Sequence, residues 1–358
     1  MDDRRLMKGN EAFAEAAIVS GCRYYFGYPI TPQNELTEYM SRELPGAGGS
    51  FVQAESELAA VSMAYGAAAA GGRVLISSSS PGIALMQEGL SFLCSVDIPL
   101  VVLNVSRGGP GVGGIQPGQA DYFQATRGGG NGDYHIIVYA PASIQESIDL
   151  MGKAYDVAEH YRNPVMLLVD GMLGQMMEPV SMPSRDAYAL PEDVSAMKPW
   201  AITGHDNRRE RNVVKSLRLK PDELEEAVEK RGAKYAAAEQ ELASYEAVDI
   251  ESAEVVFVAF GSTSRIVKDA IGLLRADGVR AGMIRPISLW PFPERAFEQV
   301  PASAKAVISV ELSMGQLIQD VRLAVNGRFP VELIHRTGGM LLTPEEVAAR
   351  TMDILEVK

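Results

Sequence analysis

The chain has 358 residues, 47% of them hydrophobic and 22% charged, an ordinary globular balance long enough for two domains with their own cores. Its formal charge of −13 argues against a nucleic-acid partner, because phosphates are held by clustered Lys and Arg and the dense basic run Arg208-Arg209-Glu210-Arg211 is interrupted by an acid. Cys22 and Cys94 are too few for a disulfide framework, a zinc ribbon or a self-contained four-cysteine cluster, and His135, His160, His205 and His335 lack metal-ligand spacing, so no metal is expected on this chain.

Residues 1–8 show no apolar core and no small-residue cleavage site, so no secretory leader is expected and the cytoplasm is the expected location. No apolar run approaches the roughly twenty residues of a membrane helix. Helix and strand patterns then alternate: helix 9–20, strand 24–26, a helix from Pro32, strand 50–53, helix 55–70, strand 73–77, helix 82–93 and strand 100–105. A long glycine-rich loop leads to strand 136–139, helix 143–159 and strand 165–170. This order implies a doubly wound parallel sheet covered by helices, assigned to residues 1–182. Continuous apolar runs such as Pro99-Leu100-Val101-Val102-Leu103 suit strands buried on both faces.

Residues 183–250 read as a linker: loop around Pro191, Pro199 and Gly204-His205-Asp206-Asn207, then a charged, solvated helix over 221–245 that bridges the two units. Residues 251–358 form a second, smaller α/β unit. It comprises strand 255–260, a turn and helix cap at Gly261-Ser262-Thr263-Ser264, a helix to about Arg275, strands 280–284 and 306–310, helix 315–326 and strand 331–334. Thr343 before Pro344 opens the last helix.

Gly109-Pro110-Gly111-Val112-Gly113-Gly114 is a literal G-x-G-x-x-G after a good strand, but Ile115-Gln116-Pro117-Gly118 follows instead of a helix. Without a helix terminus to face a pyrophosphate, nicotinamide binding loses its physical basis and a mobile active-site loop is the better reading. Gly128-Gly129-Gly130 reads as a similar element or as a tight turn. In Gln53-Ala54-Glu55-Ser56-Glu57-Leu58-Ala59-Ala60 both Glu55 and Glu57 have apolar neighbours one turn on, so periodicity does not choose between them as a buried acid.

Taken together, Tyr28-Pro29-Ile30-Thr31-Pro32, the Gln-x-Glu-x-Glu helix, Ser78-Ser79-Ser80-Pro81-Gly82 and Ser106-Arg107-Gly108-Gly109-Pro110 resemble the alpha subunit of 2-oxoacid:ferredoxin oxidoreductases. The resemblance runs through Gly174-Gln175-Met176-Met177-Glu178-Pro179, Arg285-Pro286-Ile287 and Glu311 with Gly315-Gln316, and is nearest to the branched-chain, 2-oxoisovalerate type. It implies a thiamin diphosphate domain of the pyrimidine-binding type followed by a domain like the transketolase carboxy-terminal one.

By that resemblance Glu57 contacts N1′ of the aminopyrimidine, and a carboxyl sharing its proton there favours the tautomer whose N4′ can remove the thiazolium C2 proton. Thr31, held between Pro29 and Pro32, and Arg107, which can offer two parallel donors, are the expected substrate contacts with Gly108 and Gly109. Pro29, Ile30, Ser79, Ser80, Pro81 and Gly82 are the expected cofactor contacts, and a cavity bounded by Thr31 and Arg107 is expected near a buried Glu57.

The magnesium motif of thiamin enzymes, Gly-Asp-Gly followed by Asn, is missing; Val169-Asp170-Gly171 is the nearest approach. The resemblance therefore implies a beta subunit that holds the diphosphate, Mg2+ and an iron–sulfur cluster, with a gamma subunit, a ferredoxin-like delta subunit, coenzyme A as co-substrate and ferredoxin as electron acceptor. The alternatives keep the chemistry on pyruvate, 2-oxoglutarate or an aryl pyruvate, or make the chain a non-catalytic structural subunit.

Overall fold

The computed structural model describes residues 4–185, 188 and 193–356; Pro191 and the terminal residues 1–3 and 357–358 lie outside this set. Leu100–Ser106 and Pro164–Asp170 are buried along their whole length, as strands covered on both faces must be. They lie at the centre of a seven-stranded sheet in the order Ser288–Trp290, Ile137–Tyr139, Pro164–Asp170, Leu100–Ser106, Val74–Ser78, Tyr24–Gly27, Ser50–Gln53. Every neighbouring pair is parallel except Ser288–Trp290 with Ile137–Tyr139. Helices Gly9–Val19, Asn34–Glu43 and Ile144–Tyr161 pack together, and Glu57–Ala69 packs on Ser80–Ser95.

The second sheet has five strands, Val331–His335, Ala306–Glu311, Val255–Val258, Ala281–Pro286 and Tyr245–Val248, with only the last pair antiparallel. Four of its strands stand where the apolar runs predict them. Tyr245–Val248 does not: it falls at the end of the segment read as linker and joins this sheet. Ser288–Trp290 likewise leaves the second unit's run of sequence to edge the first sheet. A small pair, Arg5–Lys8 with Met177–Val180, is also absent from the sequence reading. These strands have three or four residues, too few for alternation to register.

Several helix limits move for local reasons. The helix expected from Pro32 starts at Asn34, because 31–32 form a turn. The next begins at Glu57 instead of Glu55, since Ser56 takes the cap and accepts from Ala59 N at 3.2 Å. Ser80 rather than Gly82 opens its helix, with Pro81 in the first turn, where a missing N–H costs nothing. Thr343 caps the last helix as expected, accepting from Glu346 N at 3.2 Å. Ser262 stands at the cap of Thr263–Ala276 but makes no capping bond; its hydroxyl donates to Asp170 of the first unit instead.

Charged helix Pro221–Leu242 is largely exposed, yet it is fastened to the first unit. The buried Arg231 donates to Cys94 O and Ser95 O at 3.1 Å, the last carbonyls of Ser80–Ser95. Tyr235 meets the stacked pair His135–Trp290 edge-on. Between the units, Arg285 grips Glu146 through both Nη atoms at 2.9 and 2.8 Å and Glu246 through Nε at 2.7 Å. Its side chain is buried, so removing it takes the cation from Glu146 and leaves Glu246 paired with Lys268 alone. Arg285→Ala is expected to lower unfolding stability by about 3 kcal/mol, checked by urea denaturation against the wild-type chain.

Candidate active site

Open parallel sheets bind ligands beyond the carboxyl ends of their strands. Here those ends carry polar residues in place of the apolar runs: Ser77 and Ser78 on Val74–Ser78, Asn104 and Ser106 on Leu100–Ser106, and Asp170 on Pro164–Asp170, all buried. Ser77 Oγ donates to Gln33 Oε1 at 2.7 Å and lies 2.8 Å from Tyr25 OH, which is itself 3.0 Å from Thr37 Oγ1. This buried network anchors the turn 28–33. On that turn Pro29 is exposed, Ile30 and Thr31 are half-buried, and Asn34 Nδ2 lies 3.5 Å from Thr31 Oγ1.

Glu57 is 5% exposed, whereas Glu55 is exposed and accepts from Ser56 Oγ. The structure thus separates two acids that periodicity left equal. Among the described residues a single long bond, Ser78 Oγ to Glu57 Oε1 at 3.4 Å, reaches this buried carboxylate. A Cβ on Gly82 would fall 2.9 Å from Glu57 Cδ and closer still to Glu57 Oε1 and Ser78 Oγ. The glycine therefore makes the space that the acid occupies. Ser79 Oγ beside it is buried without a partner. A buried acid with little local satisfaction, and an unpaired hydroxyl at the cap of the helix that carries Gly82, fit the nitrogen-rich edge of an aminopyrimidine, which can share a proton with the one and hydrogen-bond the other.

Arg107 is 9% exposed. Its Nη1 donates to Thr31 O at 2.8 Å and its Nη2 to Val112 O at 2.9 Å, while its buried Nε has no partner. Thr31 and Arg107 are thus joined, but through the threonine carbonyl, and they wall two neighbouring cavities instead of one. Arg107 lines a cavity of about 670 Å3 with Ser80, Pro81, Gly108, Gly109 and Asp121. Thr31 lines one of about 580 Å3 with Asn34, Glu35, Met172 and Met176. The loop 108–118 borders both, because Arg107 pins its middle at Val112 and its far end pairs back through the Arg107–Pro117 bridge. Glu57 lines neither, nor do Pro29 and Ile30.

Sequence reasoning missed several residues here. Asp121 and Asn104 close a hydrogen-bonded set with Ser80: Asp121 Oδ2 accepts from Ser80 Oγ at 2.6 Å and from Asn104 Nδ2 at 2.8 Å. Burial pushes the Asp121 carboxyl up, against the opposing pull of these bonds and of the Arg107 charge. The second unit supplies Leu312, Ser313, Met314, Gln316, Thr337 and Gly338 to the larger cavity. Only the polar character of Asn104 within an apolar strand could have signalled any of these.

Other motifs resolve structurally. The G-x-G-x-x-G segment curls into a loop closed by Gly114 N to Gly108 O at 2.9 Å, and the next helix, Tyr122–Arg127, starts eight residues after Gly114. Gly128-Gly129-Gly130 lies at a bend, where Gly129 N–H donates to Gln87 Oε1 and Gly130 N–H to Tyr134 OH. Asp170 caps Gly171–Gln175 through Oδ1 and binds Ser262 through Oδ2. Among the described residues, no group of three or more His, Cys, Asp and Glu could hold a metal ion.

A doubly wound sheet with a glutamate buried at its carboxyl edge defines an α/β cofactor-binding subunit of the thiamin type. Residues 15–248 match the thiamine diphosphate-binding domain of pyruvate flavodoxin/ferredoxin oxidoreductases, and residues 253–347 match core domain II of pyruvate:ferredoxin oxidoreductase; the chain belongs to this family. It is 45% identical to the ketoisovalerate oxidoreductase subunit VorB of Methanothermobacter marburgensis, over 98% of this chain and 97% of that one. The 2-oxoglutarate synthase subunit KorA of the same organism is 33% identical over 98% and 99%. The 2-oxoglutarate:ferredoxin oxidoreductase of Magnetococcus marinus, solved with 2-oxoglutarate, coenzyme A and succinyl-CoA, superposes with a TM-score of 0.87 at 28% identity. That match covers 98% of this chain and 65% of the other, so this chain spans about two thirds of it. A split-gene transketolase, at 16% identity and TM-score 0.59 over 98% of this chain and 99% of the other, shares the fold.

Gly82→Ala should leave a folded chain but drive the Glu57 carboxylate aside. In the enzyme assembled with its partner subunits, turnover at saturating cofactor is expected to fall roughly 100-fold, as a displacement of about an ångström at a reacting group can cost.

Proposed function

We propose that this chain is the alpha subunit of a branched-chain 2-oxoacid:ferredoxin oxidoreductase. The net reaction converts 3-methyl-2-oxobutanoate, coenzyme A and two oxidised ferredoxins to the acyl-CoA, CO2, a proton and two reduced ferredoxins. The observation that carries the substrate class is the cavity beside Arg107. Its lining holds a single cation, Arg107, whose buried Nε lacks a partner, and apolar groups from both units, Pro81, Ala84, Val112, Leu312 and Met314. One carboxylate fits there. A distal carboxylate such as that of 2-oxoglutarate would find no second cation in this lining and would face Asp121. The higher identity to the ketoisovalerate subunit than to the 2-oxoglutarate subunit of the same organism supports the same choice.

When bound, thiamin diphosphate supplies the carbanion chemistry that breaks the bond to CO2. Glu57 holds a proton at the aminopyrimidine edge, in a site dry enough for that hydrogen bond to be strong. Arg107 presents Nε–H and a remaining Nη–H to the substrate carboxylate, a charge-assisted pair that fixes the orientation of the 2-oxo group. Thr31 offers its hydroxyl from a turn anchored by Gln33, so little freedom is lost on binding. The loop 108–118 forms part of the wall of both cavities.

The diphosphate, Mg2+ and an iron–sulfur cluster belong to a beta subunit in this reading, with gamma and ferredoxin-like delta subunits completing the assembly. Helix Glu57–Ala69, whose polar side chains besides Glu57 are Ser62 and Tyr65, leaves Leu58 and Met63 exposed, and its neighbour leaves Leu85 and Phe92 exposed. A helix that is apolar nearly all round ordinarily lies within a larger core. The helix that buries the cofactor glutamate on one side thus turns an exposed side bearing Leu58 and Met63 toward a covering chain.

The test is co-production with the partner subunits, followed by viologen reduction on a panel of 2-oxo acids with and without coenzyme A. The expected preference is 3-methyl-2-oxobutanoate; preference for 2-oxoglutarate would overturn the substrate assignment. Glu57→Gln is expected to assemble normally and to lose at least about 100-fold in turnover, and full activity in that variant would remove Glu57 from the cofactor site.

A further inference from the structure

Asp121 lies outside every motif that carries the family resemblance, yet it sits in the wall of the cavity that Arg107 lines and is 8% exposed. Its contacts are all distant in sequence. Ser80 comes from the opening of one helix, Asn104 from a central strand, and Asp121 from the segment just before Tyr122–Arg127. Asn104 Oδ1 accepts from Ser80 N at 3.2 Å, which closes the set into a ring.

The chemistry of the serine hydroxyl gives the ring its direction. A hydroxyl has one proton and two lone pairs. Ser80 Oγ lies 2.6 Å from Asp121 Oδ2 and 3.4 Å from Arg107 O, so its proton goes to the carboxylate. A lone pair is then left to accept from Arg107 N at 3.0 Å. Without Asp121 the proton would turn to the Arg107 carbonyl. The same residue's N–H would then meet a weaker acceptor, and the main chain that aims the guanidinium would lose a defined anchor. Asn104 reaches Ser80 through the main-chain N–H, which its Oδ1 accepts, and not through the hydroxyl.

We propose that Asp121 is a positioning residue for the substrate: by taking the only proton of Ser80 it makes that hydroxyl the acceptor that fixes Arg107, and so sets where the unpartnered Nε–H of Arg107 meets the substrate carboxylate. The proposal rests on Arg107 as the carboxylate partner. Both bonds to Asp121 fall on Oδ2, so an asparagine there can accept them through its amide oxygen, whereas alanine cannot.

The experiment uses the enzyme assembled with its partner subunits, at saturating thiamin diphosphate, with KM and kcat for 3-methyl-2-oxobutanoate measured separately. Asp121→Ala is expected to raise KM about 10- to 100-fold, the range for losing a hydrogen bond to a charged group, with kcat changed far less. Asp121→Asn should raise KM much less than Asp121→Ala. Ser80→Ala, which removes the hydroxyl and leaves the acid, should raise KM as Asp121→Ala does, and serves where the alanine variant of Asp121 fails to assemble. A loss of kcat in both Asp121 variants at unchanged KM, or an unchanged KM in Ser80→Ala, would overturn the proposal. Arg107→Met is run alongside. A raised KM there with an unchanged KM in Asp121→Ala overturns the role of Asp121 alone, whereas an unchanged KM in Arg107→Met removes Arg107 from the substrate site and the proposal with it.

Discussion

Polar groups buried at the carboxyl ends of the central strands are the constraint from which the site follows. An unsatisfied polar group out of water costs several times what a satisfied one contributes. Each of Ser77, Asn104, Ser106 and Asp170 therefore recruits a partner from another segment: Gln33, Asp121, the Gly118 carbonyl and Ser262. Those demands draw together the turn bearing Thr31, the start of Ser80–Ser95, the glycine-rich loop and the second unit. The groups left incompletely paired, Glu57, Ser79 and Arg107 Nε, sit together at the same end of the sheet. Asn10 Oδ1 and Asn34 Oδ1 beside the Thr31 turn are unpaired as well, and buried exceptions of this kind mark where a ligand supplies the missing partner.

The small residues around this end follow from the same crowding. Gly82 has no room for a Cβ because Glu57 and Ser78 occupy it, and Gly113 packs against the Gly108 main chain with positive φ. Three hydroxyls, a proline and a glycine follow one another in Ser78-Ser79-Ser80-Pro81-Gly82, and these positions meet different neighbours. Ser78 faces Glu57, Ser80 faces Asp121, and Gly82 yields to both Ser78 and Glu57. No single side chain in the run can be judged apart from the acids on either side of it.

The sequence made the long, strongly apolar elements legible, and the central strands fall where their continuous runs place them. Edge strands such as Tyr245–Val248 and Ser288–Trp290 did not show, because three or four residues carry no period and pairing is decided by what the rest of the chain leaves open. The site was legible to the extent that motifs held it: Thr31, Glu57, Ser80 and Arg107 all stand at one end of the sheet. What pattern could not reach were residues that act through distant partners. Asp121 in Gln119-Ala120-Asp121 looks like an ordinary loop acid, and its role is set by Ser80, 41 residues away. The single cavity expected between Thr31 and Arg107 is two, since the guanidinium spends its Nη groups on main-chain carbonyls of both flanking loops.

The second unit belongs to the site through Gln119, two residues before Asp121. Its side chain donates to Phe260 O at 3.0 Å and accepts from Thr263 Oγ1 at 3.0 Å and Leu312 N at 3.1 Å, while its own N–H reaches Leu312 O. These four bonds of a buried residue cross the seam between the units. Leu312, which lines the cavity with Arg107, is therefore held by the same short segment that carries the acid controlling Ser80. Recognition of the carboxylate and of the alkyl chain is coupled through residues 118–121. The docking of the second unit is in that sense part of substrate recognition, and Arg285 and the Asp170–Ser262 bond hold the two halves of the pocket at a fixed spacing.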